Sequence, residues 1–118
     1  MKLLIVDDNP DMRSILRSIC NDKFTEINEC EDGYEAIDAY ENQKPDWVLM
    51  DIKMTKMDGI KATEEIKTRY PDAKIIIVSQ YDDKRIIEAS IKSGAREFVN
   101  KDNLERIEEI ITKKINGV

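Results

Sequence analysis

Short, wholly apolar runs alternate with longer stretches of helical periodicity along this chain. Leu3-Leu4-Ile5-Val6, Trp47-Val48-Leu49-Met50 and Ile75-Ile76-Ile77-Val78 contain no charged or amide residue, the pattern of a strand covered on both faces. Between such runs the apolar residues return at spacings of three and four. Met12, Ile15, Leu16, Ile19 and Cys20 mark the inner face of a first helix, with Asn9 as its cap and Pro10 in its first turn. Phe24–Cys30 is a weaker strand interrupted by Glu26 and Asn28, as suits a sheet edge. Asp32-Gly33 turns into a helix with Ala36, Ile37 and Tyr40 that Pro45 closes. Asp58-Gly59 opens a third helix (Ile60, Ile66, Tyr70), stopped at Pro71. A fourth carries Ile86, Ile87, Ser90 and Ile91 and ends at Gly94. Arg96–Asn100 is a fifth strand. Asp102 is expected to cap the last helix, in capping-box spacing with Glu105, and Leu104, Ile107, Ile111 and Ile115 form its buried stripe. Five β-α units with short connections imply one α/β domain over residues 1–118, a parallel sheet with helices on both faces.

Composition narrows the chemistry. Of the 118 residues 41% are hydrophobic and 37% charged, so the chain is neither disordered nor a membrane protein. No apolar run approaches the roughly 18 residues of a spanning helix. Asp7-Asp8 interrupt the N-terminal run before a signal-peptide core forms. A soluble cytoplasmic protein with no membrane partner is expected. Lys and Arg number 19 against 25 Asp and Glu, a net charge of −6, which argues against direct nucleic-acid binding. Histidine is absent. Imidazole metal sites, Ser-His-Asp triads and Cys-His nucleophiles are thereby excluded. Cys20 and Cys30 lack CxxC spacing and fall at apolar positions, as buried reduced thiols do. Carboxylates, lysines and hydroxyls are left to carry the chemistry.

The polar residues gather where strands end. Asp7 and Asp8 close the first strand, Asp51 the third and Ser79 the fourth, and Lys101 follows the fifth. Open α/β sheets bind ligands outside the carboxyl ends of their strands, where the strand order reverses. In the common order 2-1-3-4-5 that reversal lies between strands one and three, the two that end in carboxylates. Each residue alone has an ordinary explanation, since Asp often caps the element that follows. Jointly, three carboxylates at one sheet edge repel unless a cation or protons neutralise them. With oxygen ligands only and no histidine, a hard cation such as Mg²⁺ is the natural occupant.

The set Asp7-Asp8, then Asp51-Ile52-Lys53-Met54-Thr55-Lys56-Met57-Asp58-Gly59, then Ser79, then Lys101 resembles the receiver domain of two-component response regulators. The likeness spans about Lys2 to Ile115. It implies a flavodoxin-like (βα)5 doubly wound parallel sheet of order 2-1-3-4-5 and a phosphoacceptor signalling switch, not a turnover enzyme, though one that catalyses its own phosphorylation and dephosphorylation. Asp51 would be the phosphoacceptor. Asp8, Asp51 and the backbone carbonyl of Lys53 would ligate Mg²⁺ (or Mn²⁺), with Asp7 acting through water. Ser79 and Lys101 would contact the phosphoryl oxygens, and Ser79 with Phe98 would form the switch. Lys53 and Tyr81, each two residues beyond a site residue, would flank the phosphoryl group and modulate its lifetime. A sensor histidine kinase or phosphotransfer protein would be the donor. A downstream effector domain or protein, or a phosphorylation-dependent dimer, would read the surface near helix 4, strand 5 and helix 5. Ile76–Asp83 and Phe98–Asp102 look most like receivers fused to LuxR/NarL-like helix-turn-helix domains, so the chain is read as stand-alone or excised from such a regulator.

Four residues depart from the family pattern. Thr55-Lys56 stands where many relatives have Pro-Gly, Asp102 replaces a common proline, and Gln80 is larger than the usual small residue. A haloacid-dehalogenase-like phosphatase is one alternative, but it needs Asp-x-Asp, and Asn9 stands two after Asp7. A flavodoxin-like electron carrier would need a hydroxyl- and glycine-rich phosphate loop where Asp7-Asp8-Asn9-Pro10 stands. A receiver-like interaction domain that is never phosphorylated is the third.

Overall fold

The computed structural model describes the backbone of residues 1–115 and side chains through residue 113. The order is β1 (Lys2–Val6), α1 (Pro10–Cys20), β2 (Glu26–Cys30), α2 (Gly33–Gln43), β3 (Trp47–Met50), α3 (Gly59–Arg69), β4 (Ile75–Ser79), α4 (Lys84–Lys92), β5 (Glu97–Asn100), a 3₁₀ turn (Lys101–Asn103) and α5 (Glu105–Ile115). All strand pairs are parallel and the sheet order is β2-β1-β3-β4-β5, as expected.

Strand alternation sorts the apolar runs into two cores. Leu4, Val6, Val48, Met50, Ile75 and Ile77 face Ala36, Ile37, Tyr40, Ala62 and Ile66 of α2 and α3. Leu3, Ile5, Trp47, Leu49, Ile76, Val78 and Val99 face Leu16, Cys20, Ile107 and Ile111 of α1 and α5. Register then fixes the site. Val6 is paired with Met50, so Asp7 and Asp51 leave the sheet side by side. The Asp51 N–H donates to the Val6 carbonyl at 2.9 Å, and the Asp7 N–H to Cys30 at 3.1 Å.

Local signals placed most helix starts. Asn9, Asp32 and Asp58 are N-caps whose side chains accept from backbone N–H groups two or three residues on. Gly94 follows α4 with φ +112°, the left-handed conformation that terminates a helix. α2 ends at Gln43, two residues before Pro45, where Lys44 turns left-handed (φ 48°) and donates its N–H to the Tyr40 carbonyl; the residue preceding a proline is disfavoured in the right-handed helical region.

Two expectations fail. Asp102 does not cap the last helix. Asn100 captures the chain first, its side-chain oxygen accepting the Asp102 N–H at 2.7 Å, so a 3₁₀ turn forms and α5 starts only at Glu105. Ile15 belongs to the apolar stripe of α1 by spacing, yet among the described residues it is left 46% exposed. Leu104, Ile107 and Ile111 pack on the second core, while Ile115 lies outside the described side chains. Cys20 and Cys30 are buried free thiols, and burial pushes their pKa values up to about 11 and about 12.

Candidate functional site

At the carboxyl end of the sheet, the β1–α1, β3–α3, β4–α4 and β5–α5 connections enclose a cleft of ≈180 Å³. It is lined by Asp7, Asp8, Asn9, Asp51, Lys53, Gln80, Tyr81 and Lys101. Asp7 is 1% exposed. Its Oδ1 accepts the Asn9 N–H at 2.9 Å, and its Oδ2 lacks an aligned hydrogen-bond donor while facing Lys101 Nζ at 3.2 Å. The same ammonium lies 3.3 Å from Asp51 Oδ1. One cation therefore bridges two buried carboxylates.

That single charge does not balance the cleft. Burial and then the neighbouring Asp7 push the Asp51 pKa up to about 6, although Lys101 works the other way. Burial opposes the charge on Lys101, but Asp51 and Asp7 outweigh it and hold its pKa above the ordinary value. With exposed Asp8, the three aspartates offer carboxylate oxygens all within 4.8 Å of one another. An all-oxygen, anionic cluster holding a buried oxygen without an aligned donor fits a hard dication such as Mg²⁺ or Mn²⁺.

Six of the residues singled out in the sequence meet in this cleft: Asp7, Asp8, Asp51, Lys53, Tyr81 and Lys101. Lys53 Nζ sits 4.6 Å above the Tyr81 ring, so these two also touch across it. Ser79 does not line it. It is fully buried, and its Oγ accepts the Tyr81 N–H at 3.0 Å. Alternation explains this: Asp7, Asp51 and Lys101 continue the strand positions facing α1 and α5, whereas Ser79 continues Ile75 and Ile77 towards the other core. Phe98 shares that second face, half-buried and already packed on the core.

Two residues matter here that sequence reading missed. An added Cβ on Gly59 would lie 1.7 Å from the Asp51 carbonyl oxygen, so the β3–α3 loop closes over Asp51 only because that position lacks a side chain. Arg13 donates Nη1 to the Asp7 carbonyl at 2.8 Å. Asp58-Gly59 signalled a helix start but no close approach, and nothing local marks Arg13. The second residue of the phosphatase-type pair is also accounted for: Asn9 Oδ1 is engaged by the N–H groups of Asp11 and Met12 as the cap of α1.

Residues 3–112 match the family of response regulator receiver domains. The chain belongs to that family. This receiver is 38% identical over 115 residues to the chemotaxis protein CheY of Listeria monocytogenes, covering 96% of this chain and 97% of that one. It is 34% identical over 119 residues to the uncharacterized transcriptional regulatory protein YhcZ of Bacillus subtilis, covering 99% of this chain but 55% of that protein. Among solved structures, the CheX-CheY-BeF3-Mg complex from Borrelia burgdorferi matches with a TM-score of 0.85 at 29% identity, over 94% of this chain and 89% of that one. The receiver is thus a signalling domain of two-component systems. Among the described residues no helix is long and apolar enough to cross a membrane.

The only tryptophan, Trp47, begins the strand that Asp51 follows, so proximity in sequence makes it a candidate reporter of metal binding. The structure contradicts this. Trp47 is fully buried and sits four residues before Asp51 on an extended strand, about 13 Å away at the opposite edge of the sheet. Mg²⁺ titration is expected to leave Trp47 emission unchanged while it shifts the amide NMR signals of Asp8 and Asn9. A Trp47 response as large as those amide shifts would show that binding deforms the whole strand.

Proposed function

We propose that this receiver accepts a phosphoryl group on Asp51 from the phosphohistidine of a sensor kinase or phosphotransfer protein in the cytoplasm, and passes the change to a downstream effector. The observation that carries the proposal is the Lys101 ammonium held between buried Asp7 and Asp51 at 3.2 and 3.3 Å. A lysine so placed is positioned to meet the oxygens of a phosphoryl group bonded to Asp51. In the transfer an Asp51 oxygen forms a bond to phosphorus as the donor's P–N bond breaks, leaving a mixed anhydride on Asp51 and a free imidazole on the donor. Asp7, Asp8, Asp51 and the Lys53 carbonyl would hold Mg²⁺ or Mn²⁺, whose positive charge, when bound, offsets the charge on the transferring oxygens. We place the receiver over residues 1–118. Intact-mass measurement after acetyl phosphate and Mg²⁺ tests the proposal: one phosphoryl group is expected, mapping to Asp51.

Output would follow from Ser79 and Phe98. Shifting a population from 1:99 to 99:1 takes roughly 5.5 kcal/mol of differential binding. A hydrogen bond donated by the Ser79 hydroxyl to the new anion supplies roughly 1.5–3 kcal/mol, and the hydroxyl can make it while its oxygen still accepts the Tyr81 N–H. Phe98 is already half-buried, so turning inward gains less than the roughly 1.5–3 kcal/mol of complete burial. The two terms together fall short of a full switch. An effector, or a second copy, must complete it.

Lys53 and Tyr81 would set how long the signal lasts. Hydrolysis needs a water in line with the breaking bond, and the stacked pair (4.6 Å) stands at the mouth of the cleft. An exposed cation–π contact is worth roughly 0.5–1 kcal/mol, which corresponds to a rate factor of about two to five. Tyr81→Ala and Lys53→Asn are each expected to lose the Asp51 phosphate about two- to five-fold faster than the native chain. Native decay in both would mean that neither side chain shields it.

A further inference from the structure

Arg13 is a tightly held charged group that the phosphoryl chemistry does not use. Its side chain is 14% exposed. Nε donates to Glu29 Oε1 at 3.0 Å, Nη1 to the Asp7 carbonyl at 2.8 Å, and Nη2 lies 3.9 Å from Glu31. Arg17 grips the other oxygen of Glu29 at 2.6 Å and the Ile27 carbonyl at 3.1 Å. Burial disfavours charge on Glu29, but the hydrogen bonds from Arg17 and Arg13 hold its pKa below the ordinary value. The edge strand β2 is thereby fastened to α1, and the guanidinium comes to rest on the peptide joining Asp7 to Asp8.

We infer that Arg13 is a positioning residue for the carboxylate cluster, fixing where Asp8 stands by holding the peptide from which Asp8 departs. The inference rests on the reading of Asp7, Asp8 and Asp51 as a cation site. Asp8 is exposed, and among the described residues its own side chain makes no hydrogen bond or ion pair. Its position depends on the two peptides flanking it. The preceding one has its carbonyl held by Arg13; the following one has its N–H held by Asp7 Oδ1 at 2.9 Å. Without Arg13 the first of these restraints disappears, and the peptide plane can rotate and carry the Asp8 carboxylate with it.

Electrostatics predicts the opposite result. A positive charge near an acidic cluster repels a cation, so a guanidinium acting through its charge alone would weaken Mg²⁺ binding, and its removal would strengthen it. Groups that orient metal ligands typically change affinity by about 10–100-fold when removed, and Arg13 acts through one backbone bond, so the lower end applies.

The test is calorimetric Mg²⁺ titration of the native chain, Arg13→Gln and Arg13→Lys, with hydrogen exchange of the Asn9 amide as a metal-free measurement. Arg13→Gln is expected to bind Mg²⁺ about ten-fold more weakly and to exchange the Asn9 amide faster. Arg13→Lys keeps the charge but has one donor head, which reaches Glu29 or the Asp7 carbonyl and not both, so an intermediate loss is expected. A merely structural staple would lower the melting temperature in both variants and leave Mg²⁺ affinity untouched. Native or tighter affinity in Arg13→Gln overturns the inference, as does native affinity in Arg13→Lys if the first variant does not fold. A native chain that binds no Mg²⁺ refutes the cation site itself, and the inference with it.

Discussion

Asp51→Asn is expected to take up no phosphoryl group from acetyl phosphate and Mg²⁺, and to melt at a higher temperature than the native chain in metal-free buffer at pH 8. The first half follows from loss of the nucleophilic oxygen. The second follows from crowding. Asp51 is 7% exposed beside Asp7, and its pKa stands at about 6, against roughly 3.9 for an unfolded aspartate. The folded state therefore binds this proton more tightly than the unfolded state does. The resulting stability is present below pH about 4 and is lost as pH rises through about 6. At pH 8 the ionised group weakens the fold, and asparagine, with no charge to bury, does not. Removing Asp51 leaves no orphaned cation, because Lys101 keeps Asp7 at 3.2 Å. The gap in melting temperature should shrink towards pH 5. Mg²⁺ should raise the melting temperature of the native chain more than that of the variant, since a ligand of the folded state stabilises it. A phosphate adduct persisting in the variant would remove Asp51 from the reaction. A variant that melts lower at pH 8 would mean that the Lys101 pairing outweighs the cost of burying the charge.

Gly59→Ala should damage the site without touching any reactive group. The added Cβ would fall 1.7 Å from the Asp51 carbonyl oxygen, 2.8 Å from its carbon and 2.9 Å from Met50 Cγ. Two of these atoms are backbone and cannot rotate away. The Gly59 N–H also donates to the Ile52 carbonyl at 2.9 Å, which holds the loop closed. The chain must open there, displacing Asp51 from Lys101. Overpacking of this kind costs typically 1–3 kcal/mol, or about 4 °C of melting temperature per kcal/mol for a domain of this size. A displacement of about 1 Å at reacting atoms costs on the order of a hundred-fold in rate. Gly94→Ala is the control. It strains a left-handed residue (φ +112°) against Lys67, remote from the cleft, and should lower stability while leaving the phosphorylation rate of the folded protein near native. Native-rate phosphorylation in Gly59→Ala would show that the loop position does not govern Asp51.

Much of this molecule is legible locally. The wholly apolar runs of β1, β3 and β4 announce strands buried on both faces. The caps at Asn9, Asp32 and Asp58 are readable because a cap bonds backbone only two or three residues away. The weak, interrupted segment before Cys30 is an edge strand, β2, as its polar residues foretell. The acidic pair, Asp51 and Lys101 could be assembled from the rule that polar residues at the carboxyl ends of parallel strands converge.

The failures share one character. Asn100 and Asp102 are both competent caps, and the point where β5 releases the chain decided between them. Ile15 has the spacing of a buried residue, but exposure depends on what lies opposite, and the described residues leave it exposed. Trp47 and Asp51 are neighbours in sequence but lie at opposite ends of an extended strand.

Periodicity and capping act over a few residues, so the alternation of elements, their order and the polar residues that reach the sheet edge are written in the chain itself. Which of those residues meet depends on contacts between distant segments. Strand register set Asp7 beside Asp51, Ser79 was left buried beneath the Tyr81 N–H, and close packing demanded glycine at 59 and brought Arg13 to the Asp7 carbonyl. Register and packing join residues far apart in the chain, and no local pattern carries that information.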